Sequence, residues 1–284
     1  MRPIKKIHKA DFRPIADLST YSPLPGPGLP QLDPFLLLNH HGPQVYPPRN
    51  SGMPFGPHPH RGMETVTFVV DGDIMHKDSG GHESTIVAGG VQYMTAGRGL
   101  IHAEVSSDTF KKEGGNLEIL QLWLNLPARY KMTDPQYIGL PKEEIPTVTL
   151  PDGQGSVNLV AGDWQGQPGA FTTPTNISLQ TIRLHTSGQL SLTIPANHTI
   201  LFYVIQGKVT VNQTSVPTLH LVEFGYAEGT IEVQAEADSL ILLGHAEPFR
   251  EPVVAQGPFV MNTEQEIQEA YRDYRLGKFG SWHE

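Results

Sequence analysis

Short runs of apolar and β-branched residues, separated by glycine and proline, extend along most of the chain. Runs of this kind, roughly four to eight residues long and bounded by turn residues, are typical of antiparallel strands. In the first half of the chain the pattern predicts strands at residues 35–38, 65–70 and 117–126. Turns are predicted at Asp71-Gly72, Gly80-Gly81 and Gly89-Gly90. The hydrophobic pattern therefore predicts an all-β fold.

The second half of the chain repeats this pattern. Further strands are predicted at residues 177–184, 189–194, 200–211, 219–224, 230–234 and 239–244. When Gly72 is aligned with Gly207, the two segments that end at these glycines have a similar apolar texture. In that register His58 and His60 fall on Thr193 and Pro195. The halves are therefore predicted to be distant copies of one β-domain, of which the second lacks these histidines.

Proline marks the join between the two halves. Residues 127–175 are rich in proline and contain only short apolar runs, which favours a boundary near residue 140. The predicted domains are residues 1–140 and 141–284. Residues 1–34, also rich in proline and glycine, are predicted to be an extended or looping lead-in.

One helix is predicted near the end of the chain. Thr263 and Glu266 have the spacing of a capping box. Apolar and aromatic residues then recur at i, i+3, i+4 and i+7, namely Ile267, Ala270, Tyr271 and Tyr274. This spacing predicts an amphipathic helix of about 12 residues that stops near Gly277.

The composition of the chain excludes several classes of site and of binding partner. The chain has no cysteine, so a metal site must use nitrogen and oxygen ligands, and a thiol nucleophile is excluded. A formal net charge of −9 opposes direct binding to nucleic acid. The basic start has no apolar run behind it, and no segment has the roughly twenty apolar residues of a membrane span. We therefore expect a cytoplasmic protein without a membrane partner.

Two pairs of potential metal ligands occur in this apolar background. His58 and His60 lie two residues apart, as do His102 and Glu104. Successive side chains of a strand alternate between its faces, so the members of each pair point the same way. Two strands of one small barrel would then direct three imidazoles and a carboxylate at one point. The sequence therefore predicts a metal site in the first domain.

The other histidines have simpler interpretations. A single histidine in a proline-rich loop is usually solvated or hydrogen-bonded, so the prediction depends on all four ligands together. His40 and His41 are adjacent and would face opposite ways in a strand, so neither is expected to be a ligand. The histidines of the second half, His198, His220 and His245, are scattered, and no second metal site is expected there.

The donor set indicates what such an ion could do. Imidazoles and a carboxylate suit Fe, Mn, Ni, Cu or Zn. Four protein ligands leave up to two positions open on a six-coordinate ion, as a catalytic metal requires. Glu104 is also a candidate catalytic base, because a weakly held carboxylate can accept a proton from a substrate hydroxyl.

The segments around these residues resemble the pirin family of bicupins. The resemblance is carried by PHPHRGMETV at 57–66, DSGGH at 78–82, MTAGRGLIHAE at 94–104, WLNLPA at 123–128 and GPFVMN at 257–262. It implies two cupin barrels (double-stranded β-helices, or jelly rolls) packed face to face, with a short C-terminal helix. It also implies that His58, His60, His102 and Glu104 are the ligands of one non-heme ion, with Fe(II) the first choice among the metals above.

The resemblance leaves more than one function open. The first hypothesis is a dioxygenase that cleaves quercetin-like flavonols with O2 and releases CO, with the flavonol and O2 as its partners. The alternative is a metal- or redox-sensing regulatory protein that binds a partner protein without turnover. A third is a zinc isomerase or hydrolase on the same barrel. A monomer is expected in each case.

Overall fold

The computed structural model describes residues 1–282 and consists mainly of antiparallel strands. The strands of the first half are β1 (Ile4–Lys9), β2 (Asp11–Phe12), β3 (Thr20–Leu24), β4 (Phe35–Tyr46), β5 (Phe55–His60), β6 (Met63–Asp71), β7 (Asp73–Asp78), β8 (Glu83–Val87), β9 (Val91–Thr95), β10 (Leu100–Val105), β11 (Gly115–Asn125) and β12 (Gln136–Leu140). Those of the second half are β13 (Thr147–Thr149), β14 (Gly155–Ala161), β15 (Asp163–Trp164), β16 (Gln167–Pro168), β17 (Ser178–Leu184), β18 (Gln189–Thr193), β19 (Thr199–Gln206), β20 (Lys208–Val211), β21 (Thr214–Pro217), β22 (His220–Phe224), β23 (Thr230–Ala235), β24 (Ser239–Ala246), β25 (Val254–Gln256) and β26 (Phe259–Met261). The helices are α1 (Asp108–Glu113), α2 (Glu264–Arg275) and three single 3-10 turns at Ala128–Tyr130, Lys142–Glu144 and Pro151–Gly153.

The chain forms two compact units, which we call the N-terminal barrel and the C-terminal barrel. The N-terminal barrel comprises residues 12–21, 35–143 and Phe249 onward. The C-terminal barrel comprises residues 1–11, 22–34 and 144–248. The predicted division at residue 140 puts residues 1–11 in the first domain and the residues from Phe249 onward in the second. The structure assigns these two segments the other way round, because β1 pairs with β22, and α2 and Phe259 pack beside Ile101 of β10. The boundary near residue 140 stays a prediction.

Each barrel is built from two sheets with matching strand orders. In the N-terminal barrel one sheet contains the order β12-β9-β6-β11-β4 and the other has β5-β10-β7-β8. In the C-terminal barrel the corresponding sheets are β1-β22-β19-β24-β17-β14-β13 and β18-β23-β20-β21. Gly72 and Gly207, with φ of 83° and 80°, occupy equivalent hairpins between β6 and β7 and between β19 and β20. The predicted internal repeat is therefore visible in the topology.

The strand register corrects the predicted alignment of the halves by one residue. Glu104 lies opposite His76, four residues after Gly72, and Val233 lies opposite Val211, four residues after Gly207. Glu104 therefore corresponds to Val233, and His102 to Ile231. His102 pairs with His58 and Ile231 pairs with Leu192, so the C-terminal counterpart of His58 is Leu192, not Thr193. A one-residue slip places a side chain on the opposite face of its strand, and Thr193 is indeed exposed.

The C-terminal barrel therefore fills the predicted ligand positions with core residues. The counterparts of His58, His60, His102 and Glu104 are Leu192, Ile194, Ile231 and Val233. All are apolar, and none is more than 5% exposed. They belong to one buried hydrophobic cluster of that barrel. The same strand scaffold thus supports a polar centre in one barrel and an apolar core in the other.

Several local expectations are confirmed and others were wrong. Helix α2 has the predicted capping box, since Thr263 Oγ1 accepts from Glu266 N while the Glu266 carboxylate accepts from Thr263 N. The strand predicted at 35–38 continues to Tyr46, because its pairing with β11 extends to Gly115. The expected lead-in contains β1, β2 and β3. No helix within residues 1–282 combines the length and apolar character needed to cross a membrane.

Candidate metal centre

Strands β5 and β10 bring three imidazoles together. His58 and His60 share one face of β5, and His102 of β10 is the direct cross-strand partner of His58. One ligand atom from each ring lies within 4.8 Å of the others. The ring centroids are 4.4 Å apart for His58 and His102, 4.9 Å for His58 and His60, and 5.0 Å for His60 and His102. The alternation of the sequence therefore produces a compact cluster of nitrogen donors.

Backbone carbonyls fix the tautomers of two of these rings. His58 Nδ1 donates to Gly56 O at 2.7 Å, and His60 Nδ1 donates to Pro258 O at 3.0 Å. Because a carbonyl oxygen only accepts, each Nδ1 carries a proton, and in the neutral ring the lone pair is therefore on Nε2. Metal-binding histidines usually donate their other ring N–H to such an acceptor, which orients the ring. His60 therefore depends on a carbonyl that lies 198 residues later in the chain.

His102 carries the clearest signal for a metal. It is fully buried, and neither of its ring nitrogens has a hydrogen-bond partner among the residues that the structure describes. Burial, followed by the neighbouring His60 and His58, holds the pKa of His102 well below its usual range. Burial likewise lowers the pKa of His60 to about 3. Both imidazoles are thus uncharged at neutral pH, the state in which a ring nitrogen ligates a metal.

The residues present fit a non-heme metal ion. Leaving a buried polar group unpaired costs about 1–3 kcal/mol, so the two orphaned nitrogens of His102 need an explanation. An ion held by the three neutral imidazoles would supply a partner for one of the two ring nitrogens of His102. Fe, Mn, Ni, Cu and Zn all bind imidazole nitrogen. The cluster therefore has both the donor chemistry and the unmet bonding that a metal centre requires.

Glu104 lies beside this cluster rather than in it. Its carboxylate is not one of the group within 4.8 Å, although it lines the same cavity as His58 and His60. Thr67 Oγ1 donates to Glu104 Oε1 at 2.7 Å, and Gln121 Nε2 donates to Oε2 at 2.8 Å. Each oxygen keeps a further lone pair, so the carboxylate is positioned while it stays able to accept a proton.

The cavity next to the imidazoles measures about 280 Å³ and lies within the N-terminal barrel. Its walls are mainly apolar, with contributions from Met53, Phe55 and Ile74. Trp123 packs edge-on against His60, with ring centroids 5.1 Å apart. A few polar groups against apolar walls are typical of a pocket for a small molecule.

Sequence reasoning expected Glu64, Gln92 and His76 to lie in strands beside the ligands, but it missed the two side chains that hydrogen-bond Glu104. Thr67 and Gln121 both lie on strands that carry other polar residues, among them Thr65 and Glu118, so no local signal set them apart. His41 also lines the cavity, although adjacency to His40 had suggested no role as a ligand. His76 lies 5.4 Å from His102 between ring centroids and stacks on Tyr137 at 3.9 Å.

Glu64, expected near the ligands, belongs to a separate buried network. Tyr93 Oη and Thr95 Oγ1 donate to Glu64 Oε1, and Oε2 has no partner among residues 1–282. Burial raises the pKa of Glu64 to about 7, against the opposing effect of the hydrogen bonds from Tyr93 and Thr95. A carboxylic acid that titrates near neutrality in the folded state links stability to pH.

We expect Glu64→Gln to remove one contribution to the pH dependence of stability, namely a loss of stability as the pH rises. Because the folded pKa is raised from 4.5, the contribution of Glu64 to stability is fully present below pH 4.5 and is lost as pH rises through about 7. The loss is on the order of 3 kcal/mol in the wild type and absent in the variant. Urea unfolding of metal-free protein at pH 5, 6, 7 and 8 measures it.

Glu83→Gln, at an exposed position of β8, is the matched control and should follow the wild type. Equal pH dependence in Glu64→Gln and wild-type protein would contradict the expected titration.

Comparison with known proteins identifies the family. The pirin family description matches residues 17–124, and the pirin C-terminal cupin domain matches residues 179–280. A Pseudomonas aeruginosa protein named "putative quercetin 2,3-dioxygenase" is 36% identical over 269 residues, covering 95% of this chain and 93% of its own. Pirin-1 of Arabidopsis thaliana is 39% identical, covering 88% and 84%.

Solved structures agree with these matches. The crystal structure of a quercetin 2,3-dioxygenase from Acinetobacter baumannii has a TM-score of 0.92 and 35% identity, covering 99% of both chains. The predicted fold is confirmed, with two cupin domains of the pirin type and a short C-terminal helix. The chain therefore belongs to the pirin family.

Proposed function

We propose that this pirin is a dioxygenase that cleaves quercetin-like flavonols with O2 and releases CO. In this proposal His58, His60, His102 and Glu104 hold one non-heme ion, Fe(II), and Glu104 is also the catalytic base. The observation that carries the proposal is His102, which is buried, has no hydrogen-bond partner for either ring nitrogen among residues 1–282, and lies beside the two imidazoles that line the cavity. The relatives named as quercetin 2,3-dioxygenases supply the substrate class.

The ion, when bound, would supply a Lewis acid for the 3-oxygen of the flavonol and a redox centre for O2. The protein's part in the reaction follows from the contacts of Glu104. Its carboxylate, held by Thr67 and Gln121 at the cavity wall, accepts the proton of the flavonol 3-hydroxyl. The position of Glu104 outside the compact imidazole group supports a weakly held ligand that is free to act as a base.

The cavity walls orient the substrate and keep water from it. Trp123 and Leu37 present apolar surface for a flat aromatic ring, while Gln121 and Asn39 present amides one rung farther along the same strands. In the balanced reaction the 2,3- and 3,4-bonds of the central ring break, carbons 2 and 4 each gain one oxygen atom of O2, and carbon 3 leaves as CO with the oxygen of the 3-hydroxyl. A mostly apolar cavity suits this chemistry because it excludes competing hydrolysis.

We expect the metal-loaded wild type to consume quercetin and release one CO per flavonol. The apo-protein is loaded anaerobically with Fe(II), Mn(II), Ni(II), Cu(II) or Zn(II) and then mixed with quercetin and air. Loss of flavonol absorbance and headspace CO are followed together. Unloaded protein is the control, and the highest rate is expected with Fe(II). Failure of every metal to support CO release would overturn the proposal.

A further inference from the structure

The cavity has a layered wall that extends away from the imidazole cluster. Strands β4 and β11 contribute three cross-strand pairs that all line it, namely Leu37 with Trp123, Asn39 with Gln121, and His41 with Ile119. The first pair lies against His60 and the second against Glu104. Two residues of a strand advance about 7 Å, so His41 lies about 7 Å beyond Asn39 on the side away from Trp123.

His41 presents an uncharged polar group to this distal part of the cavity. Its side chain is buried, with 3% exposed, and its ring packs on Phe55 with centroids 5.2 Å apart. Nδ1 lies 2.9 Å from Thr20 Oγ1. Nε2 has no hydrogen-bond partner among residues 1–282, and the ring borders the cavity. Burial lowers the pKa of His41 to about 4, so the ring offers one hydrogen bond without a charge.

An apolar residue would serve better at this position if His41 only filled space. Nε2 is not among the fully enclosed atoms without a partner, so it is accessible from the cavity, and Ile119 shows that an aliphatic side chain fits the same rung. A ligand that enters the cavity and carries a hydroxyl at this distance would satisfy Nε2. The group recognised is therefore an oxygen on a part of the ligand remote from the oxygen near Glu104.

We propose that His41 is a specificity-determining residue, whose Nε2 hydrogen-bonds a ring hydroxyl of the substrate at the end of the cavity away from the imidazole cluster. The inference rests on the proposed function and adds to it. It makes polyhydroxylated flavonols the favoured substrates over flavonols with no hydroxyl other than the 3-hydroxyl. Thr20 is a positioning residue in this arrangement, because its hydroxyl holds Nδ1 and so directs Nε2 to the cavity.

The test compares two ligands that differ in their ring hydroxyls. Binding of quercetin and of 3-hydroxyflavone to Fe(II)-loaded protein is measured without oxygen, by flavonol absorbance, so the readout does not depend on turnover. In His41→Phe we expect quercetin to bind about 10- to 100-fold more weakly, while 3-hydroxyflavone changes less than about threefold. A site built to bond a hydroxyl discriminates strongly against a ligand that lacks one.

Two conservative variants separate recognition from packing. His41→Gln places an amide near the position of Nε2 and should recover most of the affinity for quercetin. His41→Asn reaches only the position of Nδ1, so it should keep the Thr20 contact and bind quercetin as weakly as His41→Phe. Circular dichroism verifies that each variant is folded.

The outcomes also distinguish this inference from the proposed function. Equal weakening of both ligands, or no change for either, would overturn the role of His41 and leave the dioxygenase proposal intact. Failure of the wild type to bind or turn over either flavonol would overturn both.

Discussion

Replacing His102 with leucine is expected to abolish metal binding and at the same time to make the metal-free protein more stable by about 1–3 kcal/mol. The first effect follows because one of three clustered imidazoles is lost, and even the loss of an outer-shell partner costs 10- to 100-fold in affinity, so the drop should be at least about 100-fold. The second follows because leucine removes two buried ring nitrogens that lack partners within the described chain. The C-terminal barrel already places Ile231 at this position.

Metal content after anaerobic Fe(II) loading and desalting measures the first effect, and urea unfolding of apo-protein measures the second. His185→Leu, at an exposed position, is the control and should keep both its metal and its stability to within about 0.5 kcal/mol. Stoichiometric metal in His102→Leu would show that the ion binds elsewhere. A less stable apo-protein would mean that His102 is a structural residue.

Glu104→Gln is expected to retain the metal and to lose about 10²- to 10⁴-fold in kcat for quercetin. Glutamine has nearly the same volume and keeps a carbonyl oxygen for Thr67, so only the bond from Gln121 Nε2 is lost and the cavity and the imidazole cluster should persist. It cannot accept the proton of the 3-hydroxyl at neutral pH, and the reaction stalls at that step. Single-turnover measurements of flavonol decay and CO release, on protein whose metal content has been verified, report the effect.

Thr67→Val is a milder variant whose kcat is compared with that of Glu104→Gln. It removes one of the two hydrogen bonds to the carboxylate but leaves the base in place, so its loss in kcat should be much smaller than that of Glu104→Gln. Full activity in Glu104→Gln would exclude Glu104 as the base. Loss of metal in that variant would instead make Glu104 primarily a ligand.

Local sequence patterns were sufficient to predict most of the fold. Alternation placed His58 and His60 on one face of β5, the glycine at 72 ended β6, and the Thr263 capping box began α2. These features depend on residues that are near one another in the sequence, where strand alternation, turn preference and capping act directly. The hypothesis that the histidines bind an ion stays a prediction.

Features that depend on long-range pairing could not be predicted in the same way. The pairing of β1 with β22 is not visible in a lead-in that is rich in proline and glycine. The alignment of the two halves failed by one residue because His58 precedes Gly72 by 14 positions, whereas Leu192 precedes Gly207 by 15. The hydrogen bonds from Thr67 and Gln121 to Glu104 join three different strands, and only the folded barrel brings them together.

The bond between His60 and the Pro258 carbonyl has a consequence for biosynthesis. The ribosome adds Pro258 long after His58, His60 and His102 have emerged, so a nascent chain has all three imidazoles before it has the acceptor that orients one of them. The orientation of His60 by this carbonyl can therefore be completed only after the ribosome has added the 198 residues that separate the two groups.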